Sequence, residues 1–516
     1  MIRLQPEVVL KRAEKAEDRK DEWRSIYEDC YTYALPQRNL YGHYEGGGRG
    51  QSKMDNVFDS TAINSTQRFA NRLQSAIFPP YRNWCSLQSG TDVPVEQIDG
   101  LNRALDLYTD KMFEVIRQTN FDLAMSEFLL DLAVGTGVML IQGGDDVTPI
   151  RFEAVPPFLV ALEQGPHGKI DNVYRKIRIK GEAIQQQWSD AKIPEPLAEK
   201  IKTKPTDDID LLEATIYIPE DDYWCYHIIW PQQKSELVYR VLESSPWIIA
   251  RYIVCAGEIW GRGPLLSALP DIKTINHTKK MLLQNASIAI SGMYTAADDG
   301  VLNPSTIRIQ PGAIIPVARN GGPQGASLAP LPRSGDFNLA QIVINDLSMG
   351  IKKIMLDDTL PPDSASARSA TEINSRMAEL AQNLGSAFGR LLTEALIPIT
   401  SRILRVMDER NIIDMPMRVD GREIKVVPIS PLARAQAQED LNSVMQFMQL
   451  AGGMGPNGML SINQDELIAF VADRLGVPQK ILNSPEQKAE MMLMAKQQME
   501  QMAQQSQGGP AIAAPQ

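Results

Sequence analysis

The stretch from Gly257 to Asn411 constrains the fold of this chain most, because its helical patterns alternate with segments that cannot be helical. Apolar residues recur at helical spacing in two neighbouring segments, and a capping-box pattern, Ser369 with Glu372, begins a third. Clusters of proline, glycine and serine separate them. The predicted parts, in order, are a helix over about 264–290, an insert over 291–336, a helix over 337–356, a polar loop over 357–370 and a long helix over 371–411.

The residues before this stretch predict a helical region followed by a region of antiparallel strands. A charged amphipathic helix is predicted over 6–35, because apolar residues follow a helical period until Pro36 ends it. From about 150 the period changes to two, which is typical of half-buried strands. The fold class is therefore α+β, mainly α. Helices are also predicted at 61–78, 97–119, 121–134 and 181–189, and strands at 138–142, 151–155, 172–179, 211–218, 223–230, 236–241 and 247–254.

The residues after Asn411 carry weaker patterns. A short hairpin is predicted over Arg418–Pro428, around the Asp420-Gly421 turn. Residues 431–485 are predicted to be helical, and the Met/Gln-rich end, 486–516, to be flexible.

Composition and motifs exclude several classes of protein. The 516 residues have a formal net charge of −11, which excludes a generally basic coat that grips nucleic acid. The four cysteines are far apart, with no metal-binding or disulfide pattern, and no apolar run is long enough to span a membrane. No nucleotide-binding or hydrolase motif occurs. The sequence therefore predicts neither an enzyme nor a cofactor.

Two adjacent carboxylate pairs, Asp298-Asp299 and Asp357-Asp358, leave one enzymatic alternative open, a metal-dependent nuclease. The alternative without chemistry is a solvated turn at each pair. Metal sites need further ligands from other elements, so the sequence predicts no metal.

Five segments together give the chain a resemblance to a known family. They are Tyr31–Pro36 at the end of the first helix, Asp59–Leu87, Asp131–Met139 (DLAVGTGVM), Gly257–Asn276 (GEIWGRGPLLSALPDIKTIN) and Ser369–Arg376 (SATEINSR). In these segments and in their order, the chain resembles the head-to-tail connector, or portal, proteins of T7-like short-tailed bacteriophages. The resemblance covers about 30–410.

The resemblance implies a portal fold of wing, stem, clip and crown that assembles into a ring, most often of twelve copies, around a central channel. The implied parts are a wing at 1–256 with its β-rich layer at 150–256, stem helices at 257–290 and 337–356, a clip at 291–336, a tunnel loop at 357–370, a kinked wing helix with strands at 371–430, a crown at 431–485 and a flexible tail at 486–516. Double-stranded DNA would pass through the channel during packaging and ejection, without sequence-specific contacts.

If the stem lines a channel, its basic residues become candidate phosphate contacts. On the first stem helix, Lys273 and Lys280 share a polar face with His277 and Gln284. The alternatives for that face are solvent exposure and salt bridges between subunits. On the second stem helix, Lys352 and Lys353 are the candidates, and stabilisation of the helix dipole is the alternative.

The loop and the insert supply the remaining candidate residues. A net acidic loop would slide past DNA rather than hold it, and Arg368 is its one candidate phosphate contact. The loop candidates are Asp357, Asp358, Pro361, Pro362, Asp363 and Arg368, and an ordinary surface connection is the alternative. The resemblance makes the insert the clip, where the motor and tail adaptors dock. Its candidate docking residues are Asp298, Asp299, Arg308, Arg319 and Arg333.

The implied partners are further copies of the chain, the terminase motor, tail adaptor and nozzle proteins, major capsid and scaffolding proteins and, in some phages, internal core proteins, with no membrane. The implied location is the portal vertex of the virion, after assembly in the host cytoplasm. An internal virion or scaffold-like protein without a DNA channel is the alternative function, although the β-rich layer does not favour it.

Overall fold

A computed structural model describes most of the chain as two compact units. It describes residues 3–41, 53–90, 95–145, 147–166, 168–291, 294–296, 328–330, 337–357, 384–413, 424–453 and 462–475, together with isolated positions beyond 486. One unit comprises Met1–Trp23, Ala70–Gly263 and Thr359–Gln516, and the other comprises Arg24–Phe69 and Pro264–Asp358. The first contains the β-sheet layer and the second contains the two predicted stem helices.

Helices and strands alternate in blocks rather than one by one. The helices are α1 (Pro6–Ala34), α2 (Thr61–Ile77), α3 (Val95–Arg117), α4 (Phe121–Val134), α5 (Ile184–Gln187), α6 (Glu195–Thr203), α7 (Pro264–Ser291), α8 (Phe337–Ile354), α9 (Ser386–Leu391), α10 (Ile397–Glu409), α11 (Pro431–Gly453) and α12 (Gln464–Leu475). The strands are β1 (Cys85–Ser89), β2 (Thr136–Gly143), β3 (Ile150–Ala154), β4 (Val160–Gln164), β5 (Ile170–Lys180), β6 (Asp208–Ile218), β7 (Tyr223–Trp230), β8 (Ser235–Leu242), β9 (Trp247–Arg251), β10 (Tyr294–Ala296), β11 (Leu328–Pro330) and β12 (Ile424–Pro428).

The largest sheet is an antiparallel meander of five strands in the order β4-β5-β6-β7-β8. One face packs against the first turns of α1, through Val9, Ala13 and Ala16. The other face packs against the α5–α6 segment, through Trp188 and Leu197. Because both faces are covered, β6 and β7 are buried along most of their length instead of alternating between buried and exposed residues.

The described residues form three smaller sheets as well. In the order β3-β2-β9, the second sheet lies against α4, whose residues Phe128 and Leu132 are fully buried. A third sheet pairs β1 with β12, with Cys85 opposite Pro428. The fourth pairs β10 with β11 inside the predicted insert.

The predicted mixture of helical and antiparallel β structure is confirmed, with several corrections. Strands β1, β4, β10 and β11 and helix α6 were not predicted, because each is too short or too polar to give a clear period. For the predicted 418–428 hairpin, the described part, β12, pairs with β1; residues 414–423 lie outside the described residues, so the hairpin stays a prediction. The assignment of regions to wing, stem, clip and crown remains a prediction.

The predicted long helix from 371 to 411 is divided where the structure describes it. Gly385 has φ +46°, which ends helical geometry before α9 begins. A π-helical turn, Leu392–Leu396, then separates α9 from α10, in which Pro398 lies in the first turn. A π-turn and a proline are physical causes of a bend, so this segment is articulated rather than one straight rod. Its predicted start near Thr371 lies outside the described residues.

Candidate functional site: the stem helices and their anchors

The approach to the first stem helix is set by backbone contact between two of the motif segments. The N–H of Gly263 donates to the carbonyl of Val134 at 2.9 Å, and the N–H of Gly261 donates to Thr136 Oγ1 at 2.8 Å. A Cβ atom on Gly263 would lie 2.1 Å from the Ala133 carbonyl oxygen. The Gly-Arg-Gly sequence before α7 is therefore required by close packing against the end of α4.

Helix α7 has 28 residues and is about 42 Å long, and Asn276, near its middle, holds the segment that precedes α2. Its side-chain oxygen accepts hydrogen bonds from the N–H groups of Phe58, at 2.6 Å, and Asp59, at 3.2 Å. Its amide donates to the Asn56 carbonyl at 2.8 Å. Only 8% of Asn276 is exposed, so these bonds form away from water. One side chain thus replaces the backbone pairing that this extended segment lacks.

Asp59, in the same segment, adds a charged contact to α7. Its Oδ1 accepts a hydrogen bond from the N–H of Thr61, the first residue of α2, at 2.8 Å. Its Oδ2 pairs with Lys279 Nζ at 2.7 Å. Burial acts to raise the pKa of Asp59, but the Lys279 ammonium and the Thr61 donor groups outweigh it, so the pKa lies below its ordinary value.

The second stem helix ends in a Schellman motif with leucine where glycine is usual. The N–H of Asp357 donates to the Lys352 carbonyl at 2.7 Å, and the N–H of Leu356 donates to the Lys353 carbonyl at 3.1 Å. Leu356 has φ +54°, a left-handed conformation that costs an L-residue with a Cβ about 1–2 kcal/mol. Tertiary contacts must therefore hold this helix end in place.

Asp357 supplies such contacts. Its carboxylate accepts a hydrogen bond from Ser65 Oγ at 3.0 Å and pairs with Arg68 Nη1 at 3.4 Å, and its side chain is 1% exposed. Ser65 and Arg68 both lie on α2. Asp357 was predicted as the first residue of the tunnel loop. It is buried, because its carboxylate serves as the anchor of α8, and its part in a tunnel loop stays a prediction.

The first turns of α2 and the segment before them therefore hold both α7 and α8, the two predicted stem helices. Asp59 and its neighbours bind α7, and Ser65 and Arg68 bind the end of α8. We call these two contacts together the stem anchor. It consists of Asn276, Asp59, Lys279, Ser65, Arg68 and Asp357.

The predicted channel lysines of α7 lie on its exposed surface, but each has a partner within the same unit. Lys273 Nζ pairs with Asp29 Oδ2 at 2.5 Å, and the Lys280 ammonium lies over the Phe58 ring, 5.3 Å from its centroid. On α8, Lys352 and Lys353 are exposed in the last turn. Two roles were predicted for these lysines, stabilisation of the helix dipole and contact with DNA phosphates, and both remain predictions.

The stem helices also expose apolar side chains. Ile342 and Met349 of α8 are 64% and 62% exposed, and Met281 and Leu283 of α7 are about half exposed. The α7 stripe predicted from the sequence is thus divided, because Leu265, Ile272 and Ile275 are buried within the chain while Leu283 is not. Apolar surface on an elongated helical pair is typical of a face that another molecule covers.

The other predicted site residues lie outside the described residues. They are Asp358, Pro361, Pro362, Asp363 and Arg368 of the loop and Asp298, Asp299, Arg308, Arg319 and Arg333 of the insert. Among the residues that the structure does describe, no three acidic, histidine or cysteine side chains are grouped as metal ligands would be. Within the same described ranges, no helix has the length and apolarity that crossing a bilayer requires.

Sequence reasoning missed Asn276, Lys279, Ser65 and Arg68. An asparagine on a helix has the same local pattern whether it is solvated or bonded across the fold. One signal was available in the sequence. Asn276 follows Ile275 on the apolar side of the helix, whereas Lys273, His277 and Lys280 lie on its exposed side.

Comparison with known proteins agrees with the motif-based prediction. The family model described as bacteriophage head-to-tail connecting protein matches residues 7–482. The chain therefore belongs to this family of connector, or portal, proteins, as its five sequence segments predicted.

Individual relatives span nearly the same length. The chain is 23% identical to a probable portal protein of Bordetella phage BPP-1, over 93% of this chain and 89% of that protein. It is 19% identical to the portal protein of Escherichia phage T7, over 92% of this chain and 87% of that protein. Among solved structures, a chain from the virion of a native gene transfer agent particle is 12% identical, with 83% of this chain and 94% of that chain covered and a TM-score of 0.36.

Proposed function

We propose that this connector protein forms a ring, most often of twelve copies, around a channel through which double-stranded DNA is packaged and ejected. The carrying observation is the exposed apolar surface of the paired helices α7 and α8 in a chain of the connector family. Neighbouring copies that cover this surface would remove it from water, which favours association by about 25 cal/mol per Å² of apolar area. A ring of rod-like pairs has a central opening by geometry.

DNA contact in this proposal is electrostatic and independent of sequence. Lys352 and Lys353 are exposed on α8, whereas Lys273 and Lys280 are partly engaged by Asp29 and Phe58. The α8 lysines are therefore the better candidates for phosphate contact. The net charge of −11 agrees with a protein that lets DNA slide.

The proposed surroundings follow from the family. At the portal vertex of the virion, the insert 291–336 would bind the terminase motor and later the tail adaptor and nozzle proteins. Major capsid, scaffolding and internal core proteins would contact other parts, after assembly in the host cytoplasm. ATP hydrolysis would belong to the motor.

Negative-stain imaging of the purified protein tests the ring. Annular particles are expected, and a monodisperse monomer of 57.4 kDa under all assembly conditions would refute it. Replacing 358–368 with a Gly/Ser linker tests the loop. Rings should persist, because Asp357 and the stem anchor are retained, while DNA packaging or retention falls; unchanged packaging would reject the tunnel-loop role.

A further inference from the structure

Tyr81 combines an unfavourable backbone conformation with an almost fully exposed side chain. It has φ +61° and is 83% exposed. The N–H of Arg82 donates to the Pro79 carbonyl at 3.4 Å, so Tyr81 occupies the third position of a β-turn, where a positive φ favours glycine or asparagine. A bulky residue with positive φ is a true outlier, and such strain persists only where other forces maintain it.

Within the described part of the chain, the Tyr81 side chain makes no hydrogen bond or ring contact that would explain this conformation. The other non-glycine residues with positive φ differ. Leu356 and Asn411 follow the ends of α8 and α10, where their N–H groups donate to helix carbonyls, Asp222 accepts a hydrogen bond from the Tyr217 hydroxyl at 2.8 Å, and Lys234 pairs with Glu7. Within the described residues, no contact of the Tyr81 side chain therefore offsets the free-energy cost of its backbone conformation.

The turn that carries Tyr81 is rigid. Phe78 and Trp84, at its two ends, are buried and pack edge to face with their ring centroids 5.1 Å apart. The Trp84 ring also stacks on Phe121 at 5.9 Å. This packing fixes the backbone of the turn before it meets a partner, so little backbone entropy is lost on binding.

The charges around Tyr81 indicate which surface it fits. Arg82 is exposed next to it, and Arg117 is held beside the turn by a hydrogen bond to Asn83 Oδ1 at 2.8 Å. Tyrosine and arginine are the side chains most enriched at the centres of protein interfaces. The chain as a whole is acidic, with 63 acidic and 52 basic side chains, so the average charge of a second copy is opposite to that of this basic protrusion. Subunits in a ring meet through two different patches, which lets a basic protrusion bind an acidic site.

We infer that Tyr81, with Arg82 and Arg117 beside it, is an anchor that inserts into the neighbouring copy of this chain. This inference rests on the proposed ring. The strain in the turn is the consequence of placing a tyrosine at the turn position that requires a positive φ.

Four variants test the inference by mass photometry across a dilution series. Tyr81→Ala removes the ring and should raise the concentration of half-assembly by about tenfold or more, as loss of an interface anchor does. Tyr81→Phe keeps the ring and should assemble within about twofold of the parent. Tyr81→Gly should weaken assembly and also raise the thermal midpoint of the dilute subunit by about 1–2 °C, because glycine tolerates the turn. Lys234→Gly, at another left-handed position, should leave assembly unchanged.

Each alternative result overturns the inference in a recognisable way. A Tyr81→Ala protein that assembles like its parent excludes the anchor, and if its incorporation into procapsids nevertheless falls, the partner is another protein. A lower thermal midpoint for Tyr81→Gly would show that the turn is not strained. Equal weakening of assembly by Lys234→Gly would show a general effect of introducing glycine rather than the loss of an anchor. A parent that forms no rings refutes the proposed function itself.

Discussion

Asn276→Ala is the sharpest test of the stem anchor, because one side chain carries three hydrogen bonds to the segment before α2. The distances are 2.6 Å and 3.2 Å to the N–H groups of Phe58 and Asp59 and 2.8 Å to the Asn56 carbonyl. At about 1 kcal/mol net for each bond, the substitution should cost about 3 kcal/mol. Alanine also has the higher helix propensity, which offsets about 0.5 kcal/mol.

Asn285→Ala is the matched control, since Asn285 lies on the same helix and is exposed. It gains the same helix propensity without losing the three bonds. The two variants should therefore differ by about 3 kcal/mol in the free energy of unfolding, measured by urea denaturation at equal protein concentration. Hydrogen exchange should show faster exchange at the amides of Phe58 and Asp59 in Asn276→Ala alone. A difference below about 0.5 kcal/mol, with unchanged exchange, would refute the role of Asn276.

Three further predictions concern the stem anchor and the approach to α7. Asp357→Asn should weaken the Ser65 and Arg68 contacts by about 1–2 kcal/mol and speed exchange at the amides of Leu356 and Asp357, whereas Asp346→Asn on exposed α8 surface should do neither. Lys279→Met should raise the pH at which acid unfolding begins. The depressed pKa of Asp59 stabilises the fold above about pH 4, and this stability is lost as the pH falls through the folded pKa. Removing the Lys279 ammonium moves that loss of stability to higher pH, and an acid-unfolding midpoint that is unchanged, as expected for the Lys273→Met control, would contradict the prediction. Gly263→Ala should cost more than about 2 kcal/mol because its Cβ would meet the Ala133 carbonyl, while Gly100→Ala, with open space around it on α3, should gain about 0.5–1 kcal/mol; similar unfolding midpoints for the two would reject close packing.

The family motifs acquire a physical meaning from the fold. The Asp131–Met139 and Gly257–Asn276 segments lie far apart in the sequence, but Gly261 and Gly263 touch the backbone at Ala133–Thr136. The Asp59–Leu87 segment also contacts the Gly257–Asn276 segment, through the hydrogen bond from the N–H of Asp59 to the Asn276 side chain. Three of the five segments therefore meet at two junctions, one before α7 and one along it.

Periodicity determined the elements that are long and regular. The sequence predicted α1, α4, α7, α8 and the strands of the large sheet, because burial of one face repeats every 3.6 or 2 residues and leaves a local pattern. The sequence also predicted the connector family, through its five motif segments.

Tertiary structure alone decided the features that depend on distant partners. The pairing of β1 with β12 joins Cys85 to Pro428, and no local pattern records such a partner. Asp357 has the pattern of a loop aspartate until Ser65 and Arg68 bury it, and Leu356 adopts a φ value that its side chain disfavours. Local sequence reports the preferences of single residues and their neighbours, whereas these conformations are held by contacts that exist only after the chain has folded.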